Sequence, residues 1–208
     1  MRLVVVTKYF PASDVRILAD LGVTDVGENR HQEAEAKAAE LVELGLRWHF
    51  IGGLQSNKAA AVAAYADVVE SLDRRKLVRP LSNGAHRRTR GEREVDVLLQ
   101  VSLDPPDAQG RAGADPGELH DLAAAVEEAA AEQEGLRLCG LMAVAPLGED
   151  PAAAFARLGE VRASFLEHHP EATWLSAGMS GDLEHAIRAG ATHVRVGSAV
   201  LGSRPANR

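Results

Sequence analysis

Apolar runs rich in β-branched residues recur along the whole chain, and between them apolar positions return with helical spacing. The first run, Leu3-Val4-Val5-Val6-Thr7, lacks polar alternation, which predicts a strand covered on both faces. Further strands are predicted at Asp25 to Gly27, Trp48 to Ile51, Val68 to Ser71, Val95 to Val101, Arg137 to Ala143, Trp174 to Ala177 and His193 to Val196. A helix over Ser13 to Leu21 would set Val15, Leu18 and Leu21 on one face, with Ser13 as N-cap and Gly22 as stop. Others are expected over His31 to Leu44, Ser56 to Ala64, Arg74 to Leu81, Pro116 to Gln133, Pro151 to His168 and Gly181 to Ala189.

Alternation of strands and helices predicts a parallel sheet with helical crossovers. Eight strands, seven connecting helices and no Pro/Gly/Ser linker between two cores favour an α/β fold of TIM type, a (β/α)8 barrel in which residues 1–208 form one domain. An open doubly wound sheet is the alternative. It would ordinarily carry a glycine-rich turn after its first strand, where this chain reads Thr7-Lys8-Tyr9-Phe10-Pro11. The longest irregular stretch, Ser102 to Asp115 with Pro105, Pro106, Gly110 and Gly113, is a candidate lid.

At 208 residues and 46% apolar content the chain can bury a sizeable core, and its net charge of -7 argues against a protein that coats nucleic acid or an anionic membrane. Arg74, Arg75, Lys76, Arg79, Arg87, Arg88, Arg90 and Arg93 crowd one stretch around Glu92. This reads as a solvated helix face and loop, with an anion or partner surface as the other reading. Cys139 is the only cysteine, so no internal disulfide forms, and its mid-strand position suits a buried thiol rather than a nucleophile. No bilayer-length apolar run and no signal-peptide layout is seen, so the expected location is the cytoplasm.

Ligands of such barrels bind at the carboxyl ends of the strands. Lys8 stands at the first, where an amine suits imine formation or an anion, and where a lysine can equally just leave the strand for solvent. The second strand end offers Glu28 and Asn29, the third leads from His49 into Gly52-Gly53, the fourth ends near Ser71 and Asp73, and the sixth near Met142. The last two carry phosphate chemistry. Ser180-Gly181 is expected to open a helix, and Gly197-Ser198 gives a second set of amides and a hydroxyl, although alone each is also an ordinary cap or turn.

Alternation with Val194 and Val196 turns Arg195 towards the barrel interior, as a ligand group or a salt-bridge partner. Pyridoxal phosphate answers the whole set: its aldehyde requires an amine, its phosphate amides and hydroxyls, and its ring nitrogen a protein partner. Arginine as that partner would donate to an unprotonated nitrogen and leave the ring a weak electron sink.

The chain resembles the pyridoxal phosphate homeostasis proteins, the YggS/PROSC-type family that shares the barrel of alanine racemase. The resemblance rests on Val6-Thr7-Lys8, Gly27-Glu28-Asn29, Trp48-His49-Phe50-Ile51-Gly52, Leu54-Gln55-Ser56-Asn57-Lys58, Gly140-Leu141-Met142, Leu175-Ser176-Ala177-Gly178-Met179-Ser180 and Val194-Arg195-Val196-Gly197-Ser198. It implies a Schiff base at Lys8, phosphate contacts from Ser180, Gly197 and Ser198, a ring-nitrogen contact from Arg195, and Asn29 in the pocket, with His49 and Met179 of the matching motifs counted as further pocket residues. It also implies a role in vitamin B6 and amino-acid homeostasis without established turnover. The expected partners are pyridoxal phosphate, amino acids and apo-enzymes that accept the cofactor.

Family members usually carry a helix before the first strand, but here that strand begins almost at Met1, and Ser203 to Arg208 follow the last one closely. The expectation is therefore a barrel lacking the N-terminal helix, or one whose true start lies upstream. No eighth helix is expected over the seam between last and first strands, which predicts an exposed apolar strip or its burial by another copy, hence a monomer or weak homodimer. Ser198 stands where threonine is common, keeping the hydroxyl.

Two competing functions differ in class. An amino-acid racemase needs an acid/base group on each face of the cofactor, and Lys8 serves one. Of the two tyrosines, Tyr9 is expected to alternate away from Lys8 and Tyr65 to close a helix. The other is a phosphate-ligand barrel in which Lys8 is only a counter-ion.

Overall fold

The computed structural model describes residues 1–88, 94–105, 113–133 and 135–203. Its strands are β1 (Arg2–Val6), β2 (Asp25–Glu28), β3 (Arg47–Phe50), β4 (Val68–Leu72), β5 (Val95–Gln100), β6 (Leu136–Met142), β7 (Trp174–Ser176) and β8 (His193–Val196). Each pairs in parallel with the next, and β8 returns to β1 to close the barrel, as the strand pattern predicts. In that closing register Leu3 faces Val194, Val4 faces Arg195 and Val5 faces Val196.

Around the barrel run α1 (Ala12–Asp20), α2 (His31–Glu40), α3 (Ala59–Tyr65), α4 (Val78–His86), α5 (Leu119–Glu132), α6 (Pro151–His168), α7 (Leu183–Arg188) and α8 (Ser198–Leu201). Strand residues that face the helices join Val15 of α1, Ala34 and Ala38 of α2, and Phe155 and Phe165 of α6 in the main core. Burial of each large side chain there is worth roughly 1.5–3 kcal/mol. A second cluster of Val68, Leu98, Cys139 and Met142 is separate from it. Strand alternation places Val68 on the same face as Glu70, opposite Val69, so the barrel interior combines this small apolar cluster with buried charge.

Gly140 of β6 lies hard against the backbone of β7. Its φ is +154°, and a Cβ there would sit 1.9 Å from the Trp174 carbonyl oxygen. The β5–β6 register slips at the same place, between Val97 and Leu98, so the extra residue of the bulge bends β6 against β7.

Several expectations need correction. Pro11, not Ser13, is the N-cap of α1, because proline's preset φ of -69° suits a position two residues earlier, and the Ser13 hydroxyl turns to the Asp14 carboxylate. The helix expected to Leu44 stops at Glu40 and continues as a 3-10 turn, Val42–Leu44, closed by Gly45 at φ +62°. A one-turn α8 follows β8 where none was expected. At the seam Leu3 is exposed, while its neighbours Val194 and Val196 are buried.

Within the basic stretch, Arg74 pairs with Asp73 and the Leu54 carbonyl, Arg75 with Glu128, and Arg88 with Asp67. Arg74 and Arg88 serve the fold, while the Arg75–Glu128 pair is exposed on the surface. Arg90 and Arg93, like Pro106 and Gly110 of the expected lid, lie outside the described residues. Among the described residues no helix is long and apolar enough to cross a membrane.

Candidate functional site

The site begins with the turn that follows β1. Thr7 donates its hydroxyl to Glu28 Oε1 at 2.7 Å, while Lys37 Nζ donates to the Thr7 carbonyl at 3.0 Å, to Glu28 Oε1 at 2.7 Å and to Glu33 Oε1 at 2.6 Å. All three ammonium protons are thus committed. Burial raises the Glu28 carboxyl above its ordinary value of 4.5, against the opposing pull of Lys37. Glu33 also accepts the Tyr9 amide at 2.8 Å, and Tyr9 sits at φ +72°, the only described residue other than glycine in the left-handed region. That conformation costs about 1–2 kcal/mol and is held by the clamp around it.

The strained turn places Lys8, Tyr9 and Phe10 along one wall of a cavity of about 310 Å³ at the carboxyl ends of the strands. This is small but within the ~300–1,000 Å³ range of ligand pockets. Met179, Ser180 and Gly181 from the loop after β7 line another wall, and Arg195, Gly197 and Ser198 come from the end of β8. The Ala199 amide donates to Ser180 Oγ at 3.4 Å, which joins the two loops. Gly197 lies so close to β1 that a Cβ would be 3.3 Å from the Val6 carbonyl oxygen. Helix α7 starts at Leu183 rather than Gly181 because the Asp182 carboxylate takes the Met179 amide at 2.6 Å, leaving Ser180 and Gly181 in the loop.

Arg195 reaches the cavity from within the barrel. One terminal nitrogen donates to Ser176 Oγ at 2.6 Å and the other to the Ala143 carbonyl at 2.8 Å, with Glu70 Oε2 at 3.6 Å. Burial pulls the guanidinium below its ordinary value, and the Glu70 charge opposes that. Beneath it, His49 lies between Glu70 Oε1 at 2.7 Å and Asp25 Oδ1 at 3.0 Å. Burial pushes His49 down, but its two carboxylate partners outweigh this and raise it above 6.5. Burial likewise pushes both carboxyls up, yet the His49 hydrogen bonds prevail and bring Glu70 and Asp25 each to about 2.

Of the residues singled out from the sequence, Lys8, Met179, Ser180, Arg195, Gly197 and Ser198 share the cavity wall. His49 and Asn29 do not line it. His49 is buried beneath, since strand alternation turns it into the barrel a full layer below the mouth. The Asn29 backbone packs against Gly52, where a Cβ would stand 2.2 Å from the Asn29 carbonyl oxygen; its Oδ1 is buried without a partner among the described residues. Tyr9, expected to alternate away, lines the cavity because its positive φ breaks the strand's two-residue alternation. The clamp behind Lys8 left one readable trace, the i,i+4 pair Glu33 and Lys37 on α2.

Amine, hydroxyl-and-glycine loops and buried cation thus face one small volume, and this donor set fits the aldehyde, phosphate and ring nitrogen of pyridoxal phosphate. Comparison with known proteins agrees. Residues 3–205 match the family described as alanine racemase, N-terminal domain. A pyridoxal phosphate homeostasis protein of Mycobacterium bovis is 44% identical over an alignment covering 98% of this chain and 83% of that protein. PipY of Synechococcus elongatus, solved with PLP bound, is 36% identical with a TM-score of 0.82, covering 97% of this chain and 92% of its own. An alanine racemase of Clostridium difficile, 13% identical with a TM-score of 0.72, covers all of this chain and 53% of its own, and shares the fold alone.

Proposed function

This chain belongs to the pyridoxal phosphate homeostasis proteins within the alanine racemase N-terminal domain family, and on that premise we propose that it binds pyridoxal 5'-phosphate in the cavity at Lys8 and acts in vitamin B6 and amino-acid homeostasis. The observation that carries the proposal is the meeting of Lys8, Ser180, Ser198 and Arg195 around one cavity from opposite ends of the chain. When bound, the cofactor would supply an aldehyde, a group that condenses with a free amine with loss of water. Lys8 Nζ has no hydrogen-bond or ion-pair partner among the described residues, so it is the amine for that role. Ser180 and Ser198 hydroxyls and the Gly197 backbone would hold the phosphate, and Arg195 would be the donor to the ring nitrogen.

An arginine in that position would leave the ring nitrogen unprotonated and weaken the ring's capacity to stabilise a carbanion, which suits carrying over turnover. The protein holds, buffers and delivers its cargo in the cytoplasm, with cofactor-accepting apo-enzymes as partners and residues 1–208 as one binding unit. Incubation of the purified protein with pyridoxal phosphate is expected to give a visible absorbance band that borohydride bleaches while fixing the cofactor to the Lys8 peptide by mass. Absence of both leaves Lys8 as a phosphate counter-ion.

A further inference from the structure

Arg195 is deeply buried, and a buried guanidinium without a counter-charge costs several kcal/mol. Among the described residues, the carboxylate nearest to it is Glu70, on β4, across the barrel from β8. Their link through Ser176 has a fixed polarity. Arginine can only donate, so the Ser176 oxygen accepts from Arg195 at 2.6 Å and its single proton goes to Glu70 Oε2 at 2.6 Å.

The other Glu70 oxygen is fixed as firmly. His49 meets a carboxylate at each ring nitrogen, and since ionised carboxylates only accept, the ring donates from both nitrogens and carries a positive charge. Charges facing one another inside the barrel are then Arg195 and His49 against Glu70 and Asp25, a balanced set. Around it stand His193 of β8, whose ring is 6.2 Å from that of His49, Arg2 of β1, 3.7 Å from Asp25, and Asp182, which acts on Arg195 from the loop before α7. Both oxygens of Glu70 are thus spent on holding two cations in register, and one of those cations forms the base of the cavity.

We infer that Glu70, seated by His49 and acting through Ser176, is the positioning residue that fixes the Arg195 guanidinium at the base of the cavity and sets the charge felt by the ring of a bound cofactor. The inference rests on the pyridoxal phosphate reading for its second half only. Glu70→Gln keeps the shape and removes the charge, leaving Arg195 less compensated. A cation beneath the ring then disfavours the protonated form of the lysine-bound cofactor.

The test is a double-mutant cycle on the loaded protein, following the pH midpoint of the visible band. Glu70→Gln is expected to lower that midpoint by about one pH unit when Arg195 is present and to shift it far less in an Arg195→Gln background. Equal shifts in both backgrounds, or a lowered melting temperature with no shift, would overturn the inference and leave Glu70 a structural residue. Nitrogen-15 NMR of the cofactor-free protein supplies the second readout: the slowly exchanging Arg195 guanidinium protons are expected in the wild type and lost in Glu70→Gln, and their persistence unchanged sinks the positioning role. If wild type gives no visible band, the cofactor reading fails, while the NMR comparison still decides the Glu70 claim. Should Glu70→Gln not fold, Ser176→Ala removes only the bridging hydroxyl and takes its place in both measurements.

Discussion

At the carboxyl ends of the strands Lys8 faces a cavity with no ion-pair partner among the described residues, whereas at the amino ends Asp96 is gripped by Arg47, by Arg137 at 2.6 Å and by the Cys139 thiol at 3.2 Å. The amino-end groups satisfy each other. Burial, then the nearby Asp96 charge, pushes the Cys139 thiol up to about 12, so it stays a protonated core group and not a nucleophile. The contrast holds even between neighbouring lysines. Lys37 has all three protons placed and supports the turn, while Lys8, on that turn, keeps its amine available. Chemistry resides where polar groups are left unmatched on a rigid frame, and stability where they are matched.

The largest expected effect separates the two ends outright. Lys8→Ala should abolish the borohydride-fixed adduct while leaving the melting temperature within a few degrees of wild type, as thermal scans and mass spectrometry of the reduced protein will report. The reverse pattern is expected at the floor. Asp96→Asn leaves two arginines short of a partner and should cost about 2–3 kcal/mol, less than the ~3–5 kcal/mol of a fully buried pair because both arginines are partly solvated. Cofactor bound per folded molecule should not change, and a loss of binding with stability intact would erase the distinction.

A smaller change sharpens the picture of the mouth. Ser180→Ala removes one hydroxyl from the loop after β7 and should weaken cofactor affinity about tenfold, ~1.4 kcal/mol, in a fluorescence titration. The expected borohydride-fixed adduct at Lys8 should survive.

The smallest effect is the pH dependence of stability, which comes from the buried groups beneath the cavity. Burial holds His193 at about 4 against an ordinary 6.5, so as pH falls through that window the unfolded chain takes up the proton first and the fold loses stability. Glu70, at about 2 against 4.5, contributes stability present above 4.5 and lost as the pH falls towards 2. His49 has the opposite sense: its contribution is complete below 6.5 and is lost as pH rises through its elevated folded value. The melting temperature should therefore peak near pH 6.5, and His193→Gln should flatten the slope between 6.5 and 4.

Much of this was legible in the chain. Each of the eight strands lies within a residue or so of its predicted span, and Pro151 to His168 is helical from end to end, because unbroken apolar runs and a proline start behind Asp150 admit few alternatives. Lys8, Ser180 and Arg195 stood out for the same reason: polar groups at the ends of, or inside, apolar strands require a partner. Tyr9 was missed because a positive φ at a tyrosine leaves no local mark. Glu70 was missed because a carboxylate in the run Val68-Val69-Glu70-Ser71-Leu72 shows its purpose only when residues more than a hundred positions away, Ser176 and Arg195, close around it.

The sequence by itself determined the barrel, its strand order and which polar residues stand at the strand ends, since hydrophobic period and residue type act over a few neighbouring positions. Tertiary structure alone decided which lysine would be free, which histidine would sink to the floor, and how four buried charges would balance. Those outcomes depend on distances between strands, and in a closed barrel every inward side chain is neighbour to residues that the linear chain keeps far apart.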